Sequence, residues 1–182
     1  MITPSPYHNK ALKTKAFVLG CDPTAFDKDR NRIEFEYVFG IYKDKRYFAG
    51  INTNLIELGL SRESVYVQNL VTDYQEKETA KNDKWPAIAR QYISERKAEF
   101  DNIDPSNKIP VFLTSDLLYK VLLNEGETLL SPADLYNSET AFFIPAEKNK
   151  LSRPLIPLYR HSAYSLKKQV KFVDRVINYF KF

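Results

Sequence analysis

The sequence predicts an α/β fold: a three-layer α/β/α sandwich around a central, mostly parallel sheet of about four strands. Short apolar runs rich in β-branched residues recur along the chain, and amphipathic stretches of helical period separate them. No internal repeat, low-complexity tract or linker divides the alternation, so residues 1–182 read as a single domain with an irregular N-terminal arm over 1–14. A chain of 182 residues is long enough to bury a full core.

Taken in order, the first strand is Ala16-Phe17-Val18-Leu19, which runs into Gly20-Cys21-Asp22-Pro23-Thr24. Residues 33–39 alternate polar and apolar, the pattern of a half-exposed strand or extended segment. From about 52 to 60 the pattern is helical, with Leu55, Leu58 and Leu60 apolar and Gly59 near the end. Residues 65–71 are β-branched and form a second core strand. After a polar loop over 73–84, Trp85-Pro86 opens an amphipathic helix to about residue 100, with Ile88, Tyr92 and Ile93 on one side.

A turn over 101–108 leads to a third core strand at 109–114. Ser115-Asp116 has the composition of an N-cap for a short helix over 117–123. A loop with a short helix covers 125–152, and the last strand is 155–159, followed by Arg160-His161-Ser162. The chain ends in a helix with the apolar stripe Leu166, Val170, Val173, Val176, Ile177 and Phe180.

Composition narrows the function classes. With 43% hydrophobic and 14% aromatic residues the chain is globular rather than disordered. No stretch reaches the length of a membrane span, and Met1-Ile2-Thr3-Pro4-Ser5-Pro6 lacks a secretory apolar core. A cytoplasmic protein with no membrane partner is expected. One cysteine, Cys21, excludes an internal disulfide and a four-thiolate zinc or iron–sulfur site within one chain. With His8 and His161 as its two histidines, no structural metal or other cofactor is expected. The net charge is +4, and residues 153–182 carry seven basic residues against one acid, Asp174. Such an end suits a polyanion; a solvated helix face is the other reading.

In open α/β sheets, ligands bind outside the carboxyl ends of the strands. Asp22, Asn69 and His161 each follow or end a predicted strand, so a parallel sheet lines them along one edge. Each has an ordinary reading too. Asp-Pro after a strand also opens a helix, with Asp as N-cap. An Asn at a strand end satisfies turn backbone, and a lone His is often a packing residue.

The joint pattern resembles the uracil-DNA glycosylase superfamily over about residues 16–170. Gly20-Cys21-Asp22-Pro23-Thr24 is similar to its first motif, Gly-Gln-Asp-Pro-Tyr, and Val67-Gln68-Asn69-Leu70-Val71 to the strand whose asparagine reads the uracil edge. Trp85, its helix and Val111-Phe112-Leu113 match the segment between the motifs, and His161-Ser162-Ala163-Tyr164-Ser165 is similar to the closing His-Pro-Ser-Pro motif. Tyr37-Val38-Phe39-Gly40 falls where the family keeps a base-stacking aromatic.

The resemblance implies a partner, DNA, and a glycosylase-like fold and chemistry. The target base leaves the stack and is held by hydrogen bonds and an aromatic face. Phe39 would stack, Asn69 would pair with the pyrimidine edge, Cys21 would adjoin the base, Asp22 would orient a water and stabilise an oxocarbenium-like sugar, and His161 would donate to the departing base. Tyr164 to Leu166 would supply a wedge, and Arg160, Ser162, Lys167 and Lys168 would hold the DNA. Among the aromatics, Tyr159 and Tyr164 are also placed near the site by the resemblance, whereas Phe112, Tyr119, Phe172 and Phe180 have core-like spacing.

The chain departs from the family's pattern at several positions. Cys21 stands in place of Gln, Thr24 in place of the Tyr that blocks thymine, a change that widens the pocket, and Ser162 and Tyr164 in place of the two prolines. The single cysteine excludes the iron–sulfur branch. No His near Cys21 in sequence supports a Cys–His pair, which reads Cys21 as a bystander rather than a nucleophile. Two other functions suit the same pattern: a non-catalytic nucleic-acid-binding module, and an enzyme on free nucleosides or nucleotides. The chain is expected to be a monomer.

Overall fold

The computed structural model describes residues 2–42, 45–128, 130–160 and 162–182. Five strands form one sheet: β1 (Tyr7–His8), β2 (Ala16–Gly20), β3 (Val65–Asn69), β4 (Val111–Leu113) and β5 (Leu155–Pro157), in the spatial order β1-β3-β2-β4-β5. β2 to β5 are parallel to their neighbours, and β1 pairs antiparallel with β3. Every residue of β2, β3, β4 and β5 is buried, which is why these segments read as nearly unbroken apolar runs.

The four expected strands are present, and the fifth lies in the arm read as irregular. Two residues are too few to show a period in sequence, and β1 exists because the exposed edge of β3 offers it partners.

Between the strands run α1 (Lys45–Glu57), α2 (Trp85–Ile103), α3 (Asp116–Leu122) and α4 (Pro132–Asn137), and α5 (Val170–Phe180) follows β5. The β2-to-β3 crossover runs one way along the sheet and the β3-to-β4 crossover the other. Right-handed connections therefore put α1 and α2 on opposite faces, an arrangement compatible with a three-layer sandwich.

Local chemistry sets the helix ends. Ser115 Oγ accepts from Leu117 N–H at 3.3 Å and caps α3, and Pro86 sits in the first turn of α2. Beyond α1, Leu60 N–H returns to Leu55 O at 2.9 Å across Gly59, whose φ of +70° few other residues adopt at low cost.

Two expectations about periodicity do not hold. Residues 33–39 form no strand. They make one isolated bridge, Tyr37 to Ser5, and enter a single 3₁₀ turn, Val38–Gly40, because the alternation there follows a wall packed on the core rather than a sheet edge. In the terminal helix Val170 is 62% exposed while Phe172 is buried, so the stripe runs through Phe172, Val173 and Val176, with Leu166 in a preceding 3₁₀ turn. The sequence pattern ran the helical period back through residues that are not helical.

Two arginines belong to the interior. Arg96 on α2 is 1% exposed and ion-pairs with Glu99, whose carboxylate also accepts from the Tyr66 hydroxyl. Arg153 is fully buried before β5, bonded to Asp101, Asp104 and Asn107 with Phe17 beneath it. The basic tail therefore loses one of its seven charges to the core. Among the described residues, no helix is long and apolar enough to cross a membrane.

Candidate functional site

Strand register places the first two candidate residues side by side. Gly20 pairs with Asn69, and the ladder continues past both strands, with Leu70 N–H donating to Gly20 O at 2.8 Å and Val71 N–H to Cys21 O at 2.9 Å. Asp22 and Asn69 thus stand together at the carboxyl ends of adjacent parallel strands. Gly20 makes room for Asn69 and Phe39. A Cβ there would collide with Asn69 Oδ1 and with the tip of the Phe39 ring.

Phe39 reaches this position from the Val38–Gly40 turn with φ +58°, a left-handed conformation uncommon for a residue with a side chain. The turn is held by Val38 N–H, which donates to Ser5 O at 3.0 Å, and by Phe48, whose ring centroid lies 6.1 Å away. Strain of this kind persists only where surrounding contacts enforce it, and it clusters at functional sites.

Asp22, Phe39 and Asn69 line a cleft of about 370 Å³, together with Thr24, Thr79, Thr114, Ser115 and Arg160. The Arg160 guanidinium lies 6.0 Å from the Phe39 ring centroid, over its face at the exposed side of the cleft. Asn69 is buried as a residue and lines the cleft, its backbone N–H donating to Gln68 Oε1 at 2.9 Å. A carboxamide at the cleft wall, with both donor and acceptor faces, suits a ligand edge that carries both.

The helix-capping reading of Asp22 does not hold, because no helix follows it. Its Oδ1 instead accepts from Thr24 N–H at 2.8 Å in an Asx turn, and its Oδ2 accepts from the Thr79 hydroxyl. Burial pushes the Cys21 thiol up to about 12, so it is protonated at neutral pH and has no nucleophilic thiolate to offer. Cys21 still lines the cleft beside Asp22.

The structure thus brings Cys21, Asp22, Phe39, Asn69 and Arg160 together. It does not bring Tyr159 and Tyr164 to the cleft: they join Tyr136 in an aromatic cluster, at ring distances of 6.1 Å and 5.7 Å. Leu166 is buried, and its N–H donates to Asn54 Oδ1 at 3.0 Å, so a wedge role does not fit its placement. Lys167 and Lys168 are exposed in the turn before α5. His161 lies outside the described residues, as does the side chain of Ser162, whose backbone opens a 3₁₀ turn.

Sequence reasoning missed Thr79 and underrated Thr24. The segment 73–84 reads in sequence as a polar loop, yet Glu78, Thr79 and Ala80 form one wall of the cleft. Its position depends on contacts more than forty residues away along the chain, which no local pattern encodes. Among the described residues, no three His, Cys, Asp or Glu side chains gather as a metal site requires. Compared with known proteins, the chain matches no family model and, in sequence, no curated protein.

Proposed function

We propose that this chain is a divergent uracil-DNA glycosylase-like protein, with the three-layer fold of that superfamily, that hydrolyses the N-glycosidic bond of a damaged or mismatched base in DNA. The observation that carries this reading is the convergence of Asp22, Phe39 and Asn69 in one cleft at the ends of β2 and β3, with Gly20 letting Asn69 and Phe39 pack against its backbone.

In this reading the extruded base stacks on Phe39 and pairs with the Asn69 carboxamide. Asp22 orients a water beneath C1′ and stabilises the positive charge that develops on the sugar. The water oxygen bonds C1′, and its proton passes to Asp22. The C1′–N bond breaks with its electron pair leaving on the base, to which His161 on the segment after β5 would donate. Thr24 is small, and its Oγ1 is turned to accept Gln75 N–H at 2.7 Å, which supports a base larger than uracil as substrate.

A single-turnover assay tests the reading. Labelled duplexes carry uracil, thymine opposite guanine, hypoxanthine or 5-hydroxymethyluracil, with deoxyuridine monophosphate as the free-nucleotide arm. Wild type is expected to leave alkali-labile sites in at least one duplex. Asp22→Asn is expected to slow this by about 10²–10³-fold, the range for removing a group that stabilises transition-state charge. Turnover of the free nucleotide alone would move the activity to small molecules. Salt-sensitive binding without turnover would make the protein a binding module.

A further inference from the structure

We infer that Thr79 is a positioning residue for Asp22, holding its carboxylate in the orientation from which it addresses the cleft. The inference rests on the reading of Asp22 as the water-orienting acid.

Two anchors reach that carboxylate from different parts of the chain. Thr24 N–H donates to Oδ1 at 2.8 Å, and the Thr79 hydroxyl donates to Oδ2. The terminal torsion of an aspartate is broad, so one anchor leaves the carboxylate plane free to turn, and two fix it. Each oxygen of an ionised carboxylate can accept twice, so both keep capacity for a ligand or water in the cleft.

The loop that delivers the hydroxyl is itself tied down. Gln75 N–H donates to Thr24 Oγ1 at 2.7 Å, and Arg32 donates to Gln75 O at 2.7 Å. Phe35 N–H donates to the Tyr74 hydroxyl at 2.8 Å, and the Tyr92 hydroxyl donates to Asp73 Oδ2 at 2.6 Å. These contacts run to the wall before α1 and to α2, so Thr79 is set by the fold rather than by its neighbours in sequence. Thr24 serves twice, since its backbone holds Asp22 and its hydroxyl holds the loop that carries Thr79.

The test compares wild type, Thr79→Val and Thr79→Ser in two readouts. The first is single-turnover cleavage of the four duplexes carrying uracil, thymine opposite guanine, hypoxanthine or 5-hydroxymethyluracil. The second is amide hydrogen exchange at Thr24, whose N–H reports whether the carboxylate stays in place. Thr79→Val keeps shape and loses the hydroxyl. It is expected to cut the rate about tenfold or more, the scale of one hydrogen bond to a charged group, with half-saturating DNA concentration changed by less than about twofold. Exchange at Thr24 is expected to quicken about tenfold on the same basis. Thr79→Ser restores both.

A wild-type rate in Thr79→Val, an equal loss in Thr79→Ser, or unchanged Thr24 exchange overturns the inference. Should wild type cleave none of the four duplexes while Thr24 exchange responds to Thr79→Val, the glycosylase reading falls and the anchoring of Asp22 by Thr79 stands.

Discussion

A methyl group at position 20 would need space that Asn69 Oδ1 and the Phe39 ring already fill. Asn69 is fixed by β3, and Phe39 by a strained turn. Gly20→Ala is therefore expected to displace the ring, cost about 1–3 kcal/mol in urea denaturation as overpacking does, and abolish ligand capture in the cleft. Gly50 on α1 is the contrast. A Cβ there meets Arg160 O at 3.4 Å, an ordinary contact, so Gly50→Ala in a helix interior is expected to stabilise by about 0.5–1 kcal/mol in the same experiment. Cys21 gives a third expectation at this scale. With burial holding its thiol near 12, iodoacetamide at pH 8 labels the native protein far more slowly than the urea-unfolded chain. Phe39 came only from the family resemblance of Tyr37-Val38-Phe39-Gly40, whereas Asp22 and Asn69 were readable from sequence as candidates because strand ends are local signals. Thr79 was not, since a threonine in a polar loop carries no mark of the carboxylate it meets 57 residues away.

At the scale of elements, the end of the sheet opposite the cleft is held by charge. Asp104 closes α2, and Arg153 precedes β5. Their ion pair at 2.7 Å, with Arg153 also donating to Asp104 O at 2.6 Å, ties the turn before β4 to the entry of β5. Burial alone would raise the Asp104 carboxyl, but the Ser106 hydroxyl, Ile109 N–H and Arg153 together draw it down to about 2. A carboxylate depressed in the folded state contributes stability that is fully present above its unfolded value of about 4 and disappears as pH falls through 2. The contribution is about 2 kcal/mol at neutral pH. Thermal denaturation of Asp104→Asn against wild type is expected to show a gap in Tm at pH 7 that narrows between pH 4 and pH 2. Arg153→Met leaves Asp104 buried without its partner and is expected to cost roughly 3–5 kcal/mol. The core strands and the starts of α2 and α3 followed from sequence because apolar runs and capping residues act locally, as Ser115 and Trp85-Pro86 illustrate, whereas the first helix, expected over about 52–60, runs Lys45–Glu57. The interior role of Arg153 did not follow, because an arginine beside basic neighbours reads as surface until Asp101 and Asp104 fold back onto it.

For the whole molecule the question is whether its positive charge forms a face or only a sum. With Arg153 in the core, Arg160, Lys167, Lys168, Lys171 and Lys181 remain exposed in the last part of the chain, and Arg175 is half-buried and donates to Tyr136 O. Arg160 lines the cleft, and Lys167 and Lys168, exposed seven and eight positions later in the chain, would hold DNA phosphates in the proposed reading. Each phosphate neutralised on duplex DNA releases condensed counterions and adds about 0.9 to the slope of log K against log salt. Replacing Lys167 and Lys168 by Ala is therefore expected to lower that slope by about two, measured by fluorescence anisotropy between 50 and 200 mM salt. Lys10 and Lys13, exposed on the N-terminal arm, supply the control, since their removal changes net charge by the same amount. A directed face loses slope only with the first pair; a diffuse cationic surface loses it equally with both. In the second case the tail carries no information about the cleft, and the functional reading would then rest on Asp22, Phe39 and Asn69 alone.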